Sequence, residues 1–506
     1  MNIEFSLAKD GNKSFSVDKI FFHSSYSPVK EAERFVSSIE FPFNPKLIFF
    51  IEPGYSYCLP FLKEKYKDCK FVCIRLFEKS VNFEDQTQWD YVLDYNEADA
   101  EKKLPQILLD TFSEDLLLLS SPLLWKPAQT IFRNKILSFF NAYKECLQNC
   151  KTLLVTRQFF EKKWLINSCN FIGNVKNIIP ASEINTMLPV IVCASGPSLK
   201  PCLNYIKAYA DKLFVICLSS ALSVLLNNSI IPDLVLSTDG GYWAGQHLKA
   251  LKNFPSIPLA SPTEAFIPKE VLAANPTIVL NYNDASSFIS SSIIEKSSLP
   301  ACQAERNPTV SGTALYFAKV LTNKSIYFCG LDLSPQKGFQ HCQPNELEKN
   351  NQLTESRIKN KISRINASRF NGEALKIYQN WFASLKPQSV ANVFRVIDKE
   401  YKNNCLCNIK DITSSDFLKE LKELTNIADK KAFEYKEYEL DTEKKQALFK
   451  FILDSLKTPQ WQKQLFPADS ISIYTAADQI EKEKAQTRLN EKIDNLCEKI
   501  RKLADV

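Results

Sequence analysis

Gly196, Pro197 and Ser198 stand together in IVCASGPSLK (191–200), straight after an apolar, β-branched run, in a chain with only 11 glycines among 506 residues. The pattern predicts a strand, a tight turn and the first turn of a helix, because Pro197 suits an early helical position. Ser195 and Ser198 supply hydroxyls, and Gly196 can take a positive φ and admit a ligand close to the backbone. An anion there would meet free N–H groups and the positive end of a helix. The plain alternative is an ordinary βα turn with a good cap, since the six-residue Walker spacing and its lysine are missing.

Three further stretches carry chemistry-bearing residues. In PDLVLSTDGGYW, Thr238 and Asp239 follow an apolar strand and precede Gly240 and Gly241. The Asp239 carboxylate could accept ribose or sugar hydroxyls, ligate Mg²⁺, or simply close an Asx turn. In NPTVSGTALYFAKVL, Ser311, Gly312 and Thr313 stand just before an amphipathic segment, a second small-residue helix start that suits an anion or a plain N-cap. In SIYFCGLDLSPQKGFQHCQ, a strand ends at Gly330 and Asp332, and His341 follows in the loop. Of the three histidines, His341 alone is expected in a loop leaving this edge, where it could act as general base on a hydroxyl.

The elements that would hold these residues follow from hydrophobic patterning. Residues 1–180 alternate strand-like runs (KLIFFIE, KFVCIRLF, DYVLDY, LLLLSS, TLLVTR) with amphipathic segments, the pattern of a Rossmann-like parallel sheet under helices. Within it, the turn at Pro53-Gly54 and the acid Glu78 beyond the next strand imitate a dinucleotide-binding unit. Only one glycine stands where three are needed, so a structural layer is the expectation. Residues 181–405 repeat the βα rhythm, and each strand ends in Ser, Thr, Asp, Asn or Gly. A doubly wound α/β domain with its ligands beyond the carboxyl ends of its strands is expected there. Residues 406–506 read as a Lys/Glu-rich helical domain whose last helix carries one apolar seam, Leu489, Ile493, Leu496, Ile500 and Leu503.

Composition narrows the function classes. The formal charge of +6 is spread over lysine-rich segments, with no concentrated basic patch or stacking module for nucleic acid. No apolar run approaches a membrane span and no secretory leader is visible, so the chain is expected in the cytoplasm without membrane insertion. The fifteen cysteines are scattered through apolar segments, which fits a reducing compartment. Close spacings such as Cys405/Cys407, Cys69/Cys73 and Cys146/Cys150 lack a matching set for zinc.

In combination, CASGPSLK, PDLVLSTDGG, TVSGTALYFAKVL and IYFCGLDLS followed by a histidine resemble, in order and spacing, the motility accessory factor (Maf) family of flagellin glycosyltransferases, which transfer nonulosonic acids. GPSLK, SG before a helix and IYFCGLDL are also similar to bacterial sialyltransferases that use CMP-activated sugars. The resemblance covers about 220 central residues, and the flanking regions match the three-part Maf layout. It implies that Gly196, Pro197 and Ser198, with Ser195, hold nucleotide phosphate or ribose. Thr238, Asp239 and Gly240 would line the nucleotide pocket, and Ser311, Gly312 and Thr313 would meet the sugar carboxylate or phosphate. His341 would be the base, with Asp332 shaping the strand end. It further implies a CMP-nonulosonic acid donor of pseudaminic or legionaminic type, flagellin as acceptor, and no certain cofactor, Mg²⁺ being compatible. The sialyltransferases place tyrosines after the Gly-x-Asp step to assist the leaving phosphate, whereas this chain has Ser334 and Phe339. The same core is similar to archaeal pterin pyrophosphokinases, in which Asp239 would hold Mg²⁺. A non-enzymatic flagellin chaperone is the third class. The C-terminal helices are expected to dock the protein acceptor.

Overall fold

Short apolar runs flanked by turn residues become parallel strands, buried on both faces and therefore continuously hydrophobic. The computed structural model describes residues 2–504 except 84–87, 98, 337, 368–371, 402–404, 425–429, 431 and 477. The chain divides into two compact units, Met1–Phe159 with Thr458–Asn495 and Phe160–Lys457 with Leu496–Val506.

In the first unit, β1 (Ile3–Leu7), β2 (Lys13–Val17) and β3 (Ile20–Phe21) pair antiparallel. The strands β4 (Leu47–Ile51), β5 (Lys70–Arg75), β6 (Tyr91–Asp94) and β7 (Ser120–Leu124) form a parallel sheet in the order β6-β5-β4-β7. This is the expected Rossmann-like layer. Its first turn is filled by protein atoms. Glu52, fully buried, accepts hydrogen bonds from the Leu76 amide (2.7 Å), the Ser80 hydroxyl (2.9 Å) and the Arg75 guanidinium (3.2 Å). Gly54 takes φ +64°, and a Cβ there would lie 2.2 Å from Nε2 of His23. Glu78, offered above as a ribose ligand, opens the short helix Glu78–Val81 instead. Residues 152–157 (TLLVTR), expected as a strand, belong to the 42-residue helix Arg133–Asn174. A brief apolar run does not distinguish the two by periodicity.

In the second unit, β8 (Asn177–Ile178), β9 (Val190–Cys193), β10 (Phe214–Leu218), β11 (Leu234–Leu236), β12 (Leu259–Pro262), β13 (Thr277–Asn281), β14 (Cys302–Gln303), β15 (Ile326–Cys329), β16 (Val393–Val396), β17 (Lys410–Ile412) and β18 (Lys436–Glu437) join in one sheet. The order is β17-β16-β15-β9-β10-β11-β12-β13-β8-β18, with β14 beside β13; only β18 runs antiparallel to its neighbour. The chain winds outward from β9 through β10 to β13, then returns to place β15 on the other flank of β9. The switch point lies between β9 and β15, where Val190–Cys193 pair in register with Ile326–Cys329. Every residue of β9, β10 and β15 is buried. At about 1.5–3 kcal/mol for each large apolar side chain removed from water, these strands form a stiff base for the turns above them.

The two-unit division replaces the expected boundaries at 180/181 and 405/406. Segment 406–506 is not a separate body. β17 extends the large sheet, Thr458–Asn495 belongs to the first unit, and the end of helix Gln479–Ala504 belongs to the second. Its seam residues Leu489, Ile493, Leu496 and Ile500 are buried. Among the described residues no helix is long and apolar enough to cross a membrane.

Candidate functional site

Four motif-bearing segments lie at the carboxyl edge of the second unit's sheet. Ser195 follows β9, Thr238 and Asp239 follow β11, and Asp332 and His341 follow β15. Helix Val310–Leu321 packs across β9 and β10 as the crossover into parallel β15, so its N-terminus returns to the same edge. β9 and β11 are two strand spacings apart, about 10 Å.

At the switch point the two glycine turns interlock. The Gly196 amide donates to the Gly330 carbonyl at 2.9 Å. A Cβ on Gly196 would lie 2.4 Å from that carbonyl oxygen and 2.7 Å from an Asp332 carboxylate oxygen, so glycine is required by close approach. The positive φ open to Gly196 is taken by Gly330 instead (φ +77°); Gly196 has φ −65°.

The anion position expected at Ser198 is taken from within. The Ser198 amide donates to Asp332 at 3.2 Å, and its hydroxyl also donates to that carboxylate. Pro197 opens a 3₁₀ turn, Pro197–Cys202, and the α-helix begins only at Leu203. Ser198 therefore clamps two loops through Asp332. Burial pushes the Asp332 carboxyl above its ordinary value, and the Ser198 hydrogen bonds oppose the rise.

Ser195, buried beside this clamp, pairs with a histidine instead. Its Oγ lies 2.9 Å from Nδ1 of His341, and its carbonyl accepts the Cys342 amide at 2.6 Å. Burial, then the nearby charge of His247, lowers the His341 pKa below 6.5. His247, on helix Tyr242–Leu248, is itself lowered by burial, against the pull of Glu346 and Asp239. Two of the three histidines thus meet at this edge, where His341 alone was expected. The loop carrying His341 also lines a cavity of about 130 Å³ with Phe339, Asn345, Glu348 and Arg364.

Asp239 is exposed, and its Oδ1 accepts the Gly241 amide at 2.9 Å, the Asx turn that was one of its alternatives. Thr238 is half-buried beside it, and Ser237 keeps a fully buried hydroxyl with no hydrogen-bond partner. A buried orphan of this kind is what a bound ligand or water satisfies. Gly240 packs under Trp164, whose ring a Cβ would meet at 2.8 Å. Ser311, Gly312 and Thr313 lie inside the first turn of helix Val310–Leu321, not before it, and all are buried. Thr309 is the N-cap and makes no side-chain capping bond. Gly312 is needed because a Cβ would press on Asn307 at 2.8 Å and Trp381 at 3.0 Å.

The motif reading missed a charged cluster beyond β12, β13 and β14. Arg306 donates from Nη2 to Glu264 and from Nε to Asp284, each at 2.7 Å, and its guanidinium lies over the Tyr282 ring (4.4 Å) and the Trp164 ring (5.3 Å). Asn167 donates to the Glu264 and Gly240 carbonyls at 2.8 and 3.2 Å, tying this cluster to the Asp239 turn. Burial raises the Glu264 pKa, with Arg306 opposing. Burial also pushes Asp284 upward, but Arg306 and Ser287 outweigh it and leave it below its ordinary value. The acid-bearing strand ends in SPTEA and NYNDA were the only local signal.

With this geometry in view, residues 169–338 match a family model described as 6-hydroxymethylpterin diphosphokinase MptE-like. An uncharacterized protein of Treponema pallidum (strain Nichols) is 29% identical over 319 residues, spanning 62% of this chain and 68% of that protein. Among solved structures, the MAf glycosyltransferase from Magnetospirillum magneticum AMB-1 superposes with a TM-score of 0.52 at 12% identity, covering 100% of this chain and 90% of that one. At that identity the likeness is one of fold: a mixed α/β architecture with parallel sheets and added helices.

Proposed function

We propose that this chain is a glycosyltransferase that moves a nonulosonic acid from a CMP-sugar to a serine or threonine hydroxyl of flagellin. The observation that carries the reading is the Ser195–His341 pair, 2.9 Å apart at the β9/β15 switch point. The fold likeness to a MAf glycosyltransferase supports it. In this reading Ser195, Gly196, Thr238, Asp239 and Gly240 border the nucleotide, and the first turn of helix Val310–Leu321 faces the sugar's anionic group. The reading implies no certain cofactor and is compatible with Mg²⁺.

With Nδ1–H donating to Ser195 Oγ, Nε2 of His341 keeps its lone pair. The bond from the anomeric carbon to the CMP phosphate oxygen breaks, with its electron pair leaving on CMP, while the acceptor oxygen forms the new bond and gives its proton to Nε2. Burial helps by keeping His341 neutral. Donors aimed at the departing phosphate would stabilise its charge without reorganising; the Gly196 and Ser198 amides, held by Gly330 and Asp332, are not among them.

A second reading has its own support, the diphosphokinase family model over residues 169–338. Asp239 would then hold Mg²⁺ for diphosphate transfer from ATP. Calorimetry separates the two: saturable binding of CMP or CDP is expected for the transferase, whereas binding of ATP only with Mg²⁺ would replace it with the kinase. Binding of neither would leave the chaperone reading.

A further inference from the structure

The hairpin of the first unit leaves one strand edge open. β1 (Ile3–Leu7) is the outer strand of its three-stranded sheet: it pairs with β2 on one side, and among the described residues nothing pairs with its other side. The ladder fixes which residues face that side. The Ala8 amide donates to the Asn12 carbonyl at 2.8 Å and the Asp18 amide to the Asn2 carbonyl at 2.9 Å, so the even-numbered residues turn their main-chain groups toward β2. Ile3, Phe5 and Leu7 therefore hold their amides and carbonyls toward the open side. Their side chains share one face, where Phe5 packs on Phe15 with ring centroids 6.2 Å apart yet stays 53% exposed, and Leu7 is 70% exposed. Strand edges that face water are commonly blunted by lysine, proline or a bulge. IEFSL carries none of these: its register against β2 is unbroken, and its single charge is Glu4.

We infer that β1 is a self-association edge, to which a second copy of this chain adds its own β1, antiparallel about a two-fold axis at Phe5. An antiparallel partner must set outward-facing residues against outward-facing residues, which leaves few registers. Centred on Phe5, the ladder pairs Phe5 with the partner's Phe5 and Ile3 with the partner's Leu7, and about six main-chain hydrogen bonds close the edge. Glu4 then stands opposite the partner's Ser6, and the apolar row of Ile3, Phe5 and Leu7 continues across the join. Centred on Glu4, the ladder would set two carboxylates face to face, which is destabilising. Centred on Ser6, it would bring Ile3 opposite the partner's Lys9. A second copy in the Phe5 register thus matches this edge in hydrogen bonding, apolar face and charge together. A contact of one strand pair is smaller than a permanent interface, so the dimer it forms depends on concentration. The inference rests on the first unit alone and does not depend on transferase activity.

The test is sedimentation velocity on the full chain at low salt, from about 1 to 200 μM, for the parent and for the Leu7→Pro, Ser6→Lys and Ser6→Glu variants. A monomer–dimer equilibrium is expected within that range. Leu7→Pro removes an outward-facing donor, at a position where an edge strand tolerates proline, and by symmetry the loss is felt twice; the dimer should weaken about tenfold or more. Ser6→Lys sets an ammonium opposite the partner's Glu4 at both ends and should tighten the dimer about threefold to tenfold, whereas Ser6→Glu sets like charges there and should weaken it by a similar factor. Ser6 and Leu7 are exposed, and circular dichroism with thermal melting verifies that the variants fold. A chain that stays monomeric throughout, a dimer indifferent to a folded Leu7→Pro variant, or a dimer that Ser6→Lys and Ser6→Glu shift in the same direction would each overturn the inference. If Leu7→Pro unfolds the hairpin, the opposite signs expected of the two Ser6 changes still decide it.

Discussion

In the proposed transfer, His341 is the residue on which the chemistry turns. Replacing it with alanine should lower transfer by about 10²- to 10⁴-fold while CMP binding persists, measured by single-turnover transfer and calorimetry. Because burial and His247 lower its pKa, the acid limb of kcat/KM should fall below pH 6.5. Replacing His247 with glutamine removes a like charge and should move that limb upward. A limb unmoved by this change would separate the two histidines. Gly196→Ala probes the interlocked turns: with a Cβ only 2.4 Å from the Gly330 carbonyl, it should cost about 1–3 kcal/mol in urea unfolding. The glycine-containing motifs were legible in the sequence because each is local. Two pairings that decide their roles were not. Ser195 meets His341 across 146 residues and Ser198 meets Asp332 across 134, and nothing in either segment says which serine pairs with the histidine and which with the carboxylate.

At the scale of elements, the parallel strands were legible at most apolar runs that end in turn residues, although in LLLLSS residues 116–118 belong to helix Glu114–Leu118 and only the serines open β7. This held for β4, β5, β9, β10, β13 and β15, since such strands are buried on both faces. TLLVTR failed because its neighbours continue a helix that a short window does not reveal. The Rossmann-like turn was legible as a structural layer from its single glycine, whereas the residues that fill it were not, because His23 and Arg75 reach it from elsewhere in the fold. His23 yields a stability prediction. Its Nε2 accepts the Tyr55 amide at 3.0 Å, and burial, followed by the Arg75 charge, pushes its pKa from 6.5 to about 3. The unfolded chain takes up this proton near pH 6.5 and the folded chain only near 3. Stability is therefore full above 6.5 and declines by about 1.4 kcal/mol per pH unit as pH falls toward 3. The other two histidines, also lowered, act in the same direction. Melting temperature followed against pH should show this slope, and His23→Gln, which retains an acceptor for the Tyr55 amide, should flatten it.

At the scale of the whole molecule, the C-terminal segment is not a detachable module. Deleting residues 410–506 would strip β17 from the large sheet, Thr458–Asn495 from the first unit and the buried Leu496 and Ile500 from the second. The truncated chain should lose its cooperative melting, so the proposed acceptor-docking role of these helices needs surface point changes to test it. The central claim concerns the β9/β15 switch point, and the most direct measurement is the intact mass of flagellin from cells lacking this chain and from cells complemented with it. The account predicts a nonulosonic acid mass increment that disappears without the chain, returns with the parent sequence and does not return with His341→Ala. Flagellin of unchanged mass in all three, or full restoration by His341→Ala, would contradict it.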